Sequence, residues 1–86
     1  MPEISRFLGI IISMYYNDHA PAHFHVRYGA YKATINIDKL SILAGNLPPR
    51  VLGLVMEWGM MHRKELKKNW LLAENNDKLN KVEGLE

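Results

Sequence analysis

The segment Tyr15-Tyr16-Asn17-Asp18-His19-Ala20-Pro21-Ala22-His23-Phe24-His25 gathers three of the chain's four histidines into seven residues, beside an aspartate and around a proline. Imidazole gives and takes protons near neutral pH and is the commonest side-chain metal ligand, so proton transfer and metal ligation are the chemistries on offer. His23 and His25 stand two apart on what reads as a strand. Both rings then point to one face, and Phe24 and Val26 point to the other. His19 or Asp18 could close a site from the turn. The spacing matches no zinc finger, and the turn lacks a clear third and fourth ligand at finger-like spacing, so no metal and no cofactor are expected. A plainer reading stands beside these: the side chains bond turn backbone and line the surface, with His25 partly buried.

A second polar group lies further along. His62, Glu65 and Asn69 fall at i, i+3 and i+7, within about 60° of one another on a helix. They flank Trp58 on the side that must meet a sheet, where an unsatisfied polar group costs about 1–3 kcal/mol. Either His62 bonds a strand and Glu65 sits on the rim, or the strip faces His23 and His25 and completes a cleft. In the cleft reading, a carboxylate orients an imidazole for general acid/base work. The candidate catalytic residues are then His23, His25 and His62, and the candidate binding residues are Asp18, His19, Arg27, Glu65 and Asn69. Arg27 or Lys64 would lie near a phosphate.

Other residues draw a plainer explanation first. Arg50, Arg63, Lys64, Lys67 and Lys68 could contact phosphates, but Glu57, Glu65 and Glu74 share the helix, as on a solvated face. Trp70 stands off the apolar stripe, either under the tail or at a partner surface. Met56, Met60 and Met61 are ordinary packing or an adaptable interface.

Positioning these groups requires a sheet and a helix. Phe7 to Tyr16 reads as a strand, rich in β-branched and aromatic residues with Gly9 its only breaker. Asn17 to Ala22 carries turn chemistry. Phe24 to Tyr28 alternates and ends at Gly29. Tyr31 to Asp38 alternates too, with Tyr31, Ala33, Ile35 and Ile37 on one face and Lys32, Thr34, Asn36 and Asp38 on the other. Ser41 to Ala44 makes a short fourth strand, closed by Gly45-Asn46. Such short connections favour an antiparallel meander. Pro48-Pro49 then opens one long helix, with Pro49 in its first turn, running to about Glu74 and stopped by Asn75-Asn76-Asp77. Val51, Leu54, Val55, Trp58, His62, Leu66, Asn69 and Ala73 share a face of it. The expected fold is α+β: about four strands against one long C-terminal helix, as a single domain over 1–86, with 77–86 an extended tail in which Leu79, Val82 and Leu85 pack.

Composition narrows the class. Eighty-six residues support one core, and 48% hydrophobic with 23% charged residues is ordinary globular balance. With no cysteine, disulfides, thiolate zinc sites and cysteine nucleophiles are excluded. A net charge of +2 is too small to argue for nucleic acid by itself. The apolar run Phe7 to Met14 before Ala20-Pro21-Ala22 superficially suggests a signal peptide. Glu3 against a single Arg6 denies it a positive leader, however, and nothing approaches the ~20 apolar residues of a membrane span. A cytoplasmic protein without a membrane partner is expected.

The opening Pro2-Glu3-Ile4-Ser5-Arg6-Phe7, the histidine segment, and the run Glu57-Trp58…His62-Arg63-x-Glu65-Leu66…Asn69-Trp70 together resemble a short bacterial family, domain of unknown function four-one-six-zero. The resemblance spans nearly the whole chain. Pro21-Ala22 departs mildly from the Pro-Pro that often precedes the family's second histidine, and it leaves the turn intact. Some members of that family are described as the DhiT-like toxin of a toxin–antitoxin pair, usually beside a small second domain of unknown function. The resemblance therefore implies a small regulatory protein with a cognate antitoxin partner, and the histidines suggest RNA as its target. The competing expectation is a non-enzymatic module whose histidine loop binds a protein or nucleic acid. An enzyme needs at least two imidazoles converging on one cleft; a binding module does not.

Overall fold

The protein is described by a computed structural model covering residues 2–85. Met1 and Glu86, the ends of the expected domain and tail, lie outside the described residues. The chain forms β1 (Glu3–Phe7), β2 (Ile10–Ser13), β3 (His23–Tyr28), β4 (Tyr31–Asn36) and β5 (Ile42–Gly45), then α1 (Pro49–Met61) and α2 (Arg63–Glu74). Each strand pairs antiparallel with the next, giving the order β1-β2-β3-β4-β5. The α+β meander is as expected. The count differs: five strands instead of four, and two helices instead of one.

The extra strand comes from a turn concealed in an apolar run. Phe7 pairs with Ile10 across Leu8-Gly9, whose φ angles are +51° and +80°. Positive φ at both central residues is the type I′ conformation, one of the two tight hairpin turns whose twist matches the flanking strands. Glycine adopts it freely, but leucine rarely does, so Leu8 disguised the turn as strand interior. Residues Glu3–Arg6 thereby become part of β1, and the strand expected over Phe7–Tyr16 is split.

The expected helix breaks at His62, which has φ −117° and ψ 20°. Run straight at about 1.5 Å per residue, Pro49 to Glu74 would reach roughly 39 Å. The molecule's longest axis is 34 Å, so an unbroken helix would overshoot the sheet it must cover. Glu65 falls in the first turn of α2, where a carboxylate complements the positive end of the helix dipole.

The register separates two faces of the sheet. Ile12, Val26 and Ala33 are aligned across three strands, as are Phe24 and Ile35, and these side chains are buried beneath Val51, Val55, Trp58, Leu66 and Trp70. Trp58 is fully buried, its ring centroid 5.5 Å from that of Phe7 and 5.7 Å from that of Phe24. Its indole N–H donates to the Glu83 carbonyl at 2.8 Å. Residues 77–85 form neither helix nor strand and run back past β1, where the Val82 N–H donates to the Ile4 carbonyl at 2.7 Å. The opposite face carries Ser13 aligned with His25, His25 with Thr34, Arg27 with Lys32, and Thr34 with Ala44. A depression of about 260 Å³ runs across it, and none of its lining residues comes from a helix.

Candidate functional site

The β2–β3 connection is tied down before it offers any side chain to solvent. The Asn17 N–H reaches the Ala73 carbonyl at 3.4 Å, and its side-chain amide donates to Asn76 Oδ1 at 3.0 Å. Both acceptors lie at the end of α2, so the connection is tethered to the helical layer. Asn17 has φ +55°, a conformation that asparagine tolerates better than most residues. The next residue, Asp18, accepts the His19 backbone N–H on Oδ1 at 2.8 Å, which leaves Oδ2 to face β3. The Ala20–Pro21 peptide is cis.

Two imidazoles converge on that oxygen. His23 Nε2 stands 2.8 Å from Asp18 Oδ2, and His25 Nε2 stands 3.2 Å from it. His23 Nδ1 lies 2.7 Å from the Pro21 carbonyl, and since a carbonyl can only accept, Nδ1 carries a proton and donates it. His23 is buried, wedged between the Trp70 ring and the His25 ring, each with its centroid 5.0 Å away. His25 is more open, and Tyr15 meets it edge-on at 4.4 Å. Burial pushes the Asp18 carboxyl upward. That push is outweighed by hydrogen bonds from His25, the His19 amide and His23 and by the charge of His23, which together hold it below the usual carboxylate range. Asp18 is therefore an anion at neutral pH, aimed at two imidazole nitrogens.

The cluster stands at one end of the depression on the open face. Ser13, Tyr15, His25, Arg27, Lys32 and Thr34 are among its lining residues. Arg27 and Lys32 are register partners on adjacent strands, two residues along from His25 and Thr34, or about 7 Å. Like charges directly opposite in a sheet repel. Among the described residues, neither forms a salt bridge. An anion between them would relieve that repulsion.

Chemically, the arrangement offers two imidazoles beside an oriented carboxylate for proton transfer, or three donors for one metal ion. Asp18, not His19, supplies the third group; His19 contributes its backbone amide, and its side chain is exposed. Arg27 lies on the groove, as a phosphate contact would require.

Four of the expected site residues belong elsewhere. His62 sits at the helix break with Nδ1 2.6 Å from Glu65 Oε1 and its ring 5.5 Å from that of Trp58. Trp58 packs on the covered face, so His62 and Glu65 are grouped with the helical layer, and no contact among the described residues joins them to Asp18, His23 or His25. Asn69 is fully buried and bonds both backbone groups of Asn80, donating to its carbonyl and accepting its N–H, each at 2.9 Å. It latches the tail. Lys64 is exposed on α2 beside Glu65, away from the groove lining.

Sequence reasoning missed Lys32, Tyr15 and Trp70 as site residues. Lys32 was open to discovery, since its strand alternation puts it on the polar face and the two-residue connection at Gly29 sets it opposite Arg27. Trp70 gave no such signal, because its contact with His23 depends on where α2 crosses the sheet.

A family model described as Domain of unknown function (DUF4160) matches residues 9–71. The match covers β2 to β5, the Asp18–His25 segment, α1 and most of α2. Neither the curated proteins nor the solved structures compared with the chain include a match.

Proposed function

We propose that this chain, which belongs to the DUF4160 family, is a small bacterial, cytoplasmic regulatory protein of the toxin type that acts on RNA in the groove of its open sheet face and is restrained by a cognate protein partner. The observation that carries the RNA reading is the placement of Arg27 and Lys32 opposite each other, without a salt bridge to either among the described residues, on the same groove as His25. Paired cations at a concave surface suit a phosphodiester, and a proton-transfer cluster within reach suits its cleavage. The toxin role is supported by the resemblance already drawn from the opening, histidine and helix motifs.

RNA supplies its own nucleophile. Its 2′-hydroxyl oxygen attacks phosphorus as the bond from phosphorus to the 5′ oxygen breaks. The hydroxyl proton passes to the Asp18–His23–His25 cluster, and a proton returns to the departing 5′ oxygen. Arg27 and Lys32 hold the non-bridging oxygens. His25 borders the groove, whereas His23 is buried and fixes the cluster from behind.

The test is inducible expression in a bacterial host, with and without the neighbouring gene, followed by growth measurement and total RNA analysis. Growth arrest with RNA fragmentation is expected for wild type. Both should be lost in His25→Ala and in Arg27→Ala with Lys32→Ala, while thermal unfolding shows these variants folded. Intact RNA and normal growth with folded wild-type protein would leave the second reading, a binding module without catalysis.

A further inference from the structure

We propose that Asp18, His23 and His25 form a three-ligand site for one divalent transition-metal ion of the zinc class. The role given to the ion rests on the RNA reading above; its binding rests on the geometry of the cluster alone. Asp18 Oδ2, His23 Nε2 and His25 Nε2 lie within 4.8 Å of one another, two of the pairs at 2.8 and 3.2 Å. Metal bonds of about 2.1 Å place neighbouring donors roughly 3.0–3.4 Å apart, depending on the coordination angle. The two pairs to Asp18 already stand within a few tenths of an ångström of that spacing, and the imidazole pair, within 4.8 Å, closes the remainder by side-chain rotation.

The surroundings of His23 point the same way. A metal-bound imidazole almost always donates its other ring N–H to a carbonyl or carboxylate, which fixes both tautomer and orientation. His23 does this through Nδ1 to the Pro21 carbonyl, and Nε2 is thereby turned to Asp18 Oδ2. Without a cation, one carboxylate oxygen faces two imidazole nitrogens, and each contact needs a proton on Nε2. An ion among the three donors replaces both Nε2 protons and leaves the Pro21 bond intact.

The donor set also selects the ion. Two nitrogens and one carboxylate oxygen suit zinc and its neighbours in the first transition row, whereas magnesium and calcium prefer oxygen throughout. The chain has no cysteine, so thiolate-preferring ions have no ligand here. Three protein ligands leave at least one position open on the side where His25 borders the groove, the pattern of a reactive site and not of a closed structural one. There the ion would polarise a phosphoryl oxygen held by Arg27 and Lys32, and a hydroxide bound to it would take the 2′-hydroxyl proton in place of the imidazoles, whose Nε2 atoms would then be ligands.

The experiment is calorimetric titration of Zn²⁺ into untagged, chelator-stripped protein at neutral pH, with thermal unfolding followed with and without the ion. One Zn²⁺ per chain and a raised unfolding temperature are expected. Asp18→Asn, His23→Gln and His25→Gln should each weaken binding at least tenfold, whereas His19→Gln and His62→Gln should change it less than twofold. His25 is partly exposed, so its variant keeps the test sound if the other two fail to fold. Absence of binding overturns the site, and so does equal weakening by His19→Gln or His62→Gln, which would mark adventitious binding to histidines. RNA cleavage undiminished in stripped protein would overturn the role of the ion. Saturable binding at these three residues in a protein inert towards RNA would support the site and sink the RNA reading instead.

Discussion

The two faces of this sheet are made from the same strands and do opposite things. Along β3, Phe24 and Val26 are buried under the helices, while His25 and Arg27 open onto the groove. On the covered face apolar groups meet apolar groups; of the buried polar ones there, the Trp58 N–H has Glu83 and the Asn69 amide has Asn80, while the Ser5 hydroxyl has no partner among the described residues. On the open face an anionic carboxylate draws two imidazoles, and two cations stand opposite each other with no salt bridge among the described residues. Alternation in a strand thus divides its residues in turn between the buried core and the polar groove, and on the function proposed above that is a division of labour between stability and chemistry. Substitutions one position apart should consequently have effects of different kinds.

The largest effect is expected where the covered face is densest. Trp58→Ala removes a fully buried indole that packs between Phe7, Phe24 and His62 and holds the tail through Glu83. It should cost about 3–5 kcal/mol, a large share of what so small a domain has. Denaturant unfolding measures this, and a loss below about 1 kcal/mol, far under the usual cost of such a truncation, would break the assignment of the covered face as the source of stability.

Asn69→Ala comes next. It removes both bonds to Asn80 and leaves a small cavity under α2, for an expected loss of about 1–3 kcal/mol. Hydrogen exchange should speed up first over residues 77–85, because the latch is lost before the core opens. Asn69→Asp keeps the acceptor for the Asn80 N–H but buries a carboxylate with its other oxygen facing the Asn80 carbonyl, so it should cost at least as much as Asn69→Ala. Uniform loosening of the whole chain would show instead that Asn69 serves the core and not the tail.

The sequence made the covered face largely legible, because burial imposes period and period shows in composition. The alternation of Tyr31 to Asn36 and the stripe through Val51, Val55, Trp58 and Leu66 both follow from it. What stayed hidden were the interruptions. Leu8 takes a positive φ against its own preference, and His62 ends a helix without glycine or proline, so neither carries a local signal. For the site, strand parity was enough to put His23 and His25 on one face. It was not enough to exclude His62, whose stripe position is compatible with facing either the site or the core. That distinction depends on which face of the sheet the helices cover, a tertiary fact that periodicity does not contain. Asn69 misled for a related reason: a polar residue on an apolar stripe must have a partner, but the stripe does not say whether that partner is a ligand or the chain's own tail.

A smaller effect, with a definite sign, is expected at the boundary between the faces. The Asp18 carboxyl is held below its ordinary value in the folded protein, so it contributes stability that is fully present above the unfolded value of about 3.9. That contribution is lost as pH falls from there through the lowered folded value. Wild type should exceed Asp18→Asn in stability at about pH 5, and the margin should close in more acid solution. Unfolding curves at several pH values for both proteins decide it. A margin that persists unchanged well below the ordinary carboxylate range would mean that the charge on Asp18 contributes nothing to folding.

The smallest effect on stability, and the sharpest contrast with Trp58, is expected at Arg27 and Lys32. Both are exposed, and neither has an ionic partner among the described residues, so replacing either with alanine should shift stability by no more than about 0.5 kcal/mol. The sign of either single replacement is expected to be slightly favourable where relief of the cross-strand repulsion outweighs lost aliphatic packing. Since that repulsion is Coulombic and partly solvated, raising salt should shrink the difference between each single variant and wild type. Binding of single-stranded RNA should respond in the opposite sense. It should weaken with salt in wild type and show a shallower salt dependence once both cations are gone, because fewer counterions are then released per complex. Unfolding and RNA titration across a salt series, made on the same two single variants and the double variant, separate these effects. If Arg27→Ala or Lys32→Ala proves strongly destabilising while RNA binding keeps its salt slope, the open face is part of the scaffold, and the division of labour between the two faces fails at its simplest point.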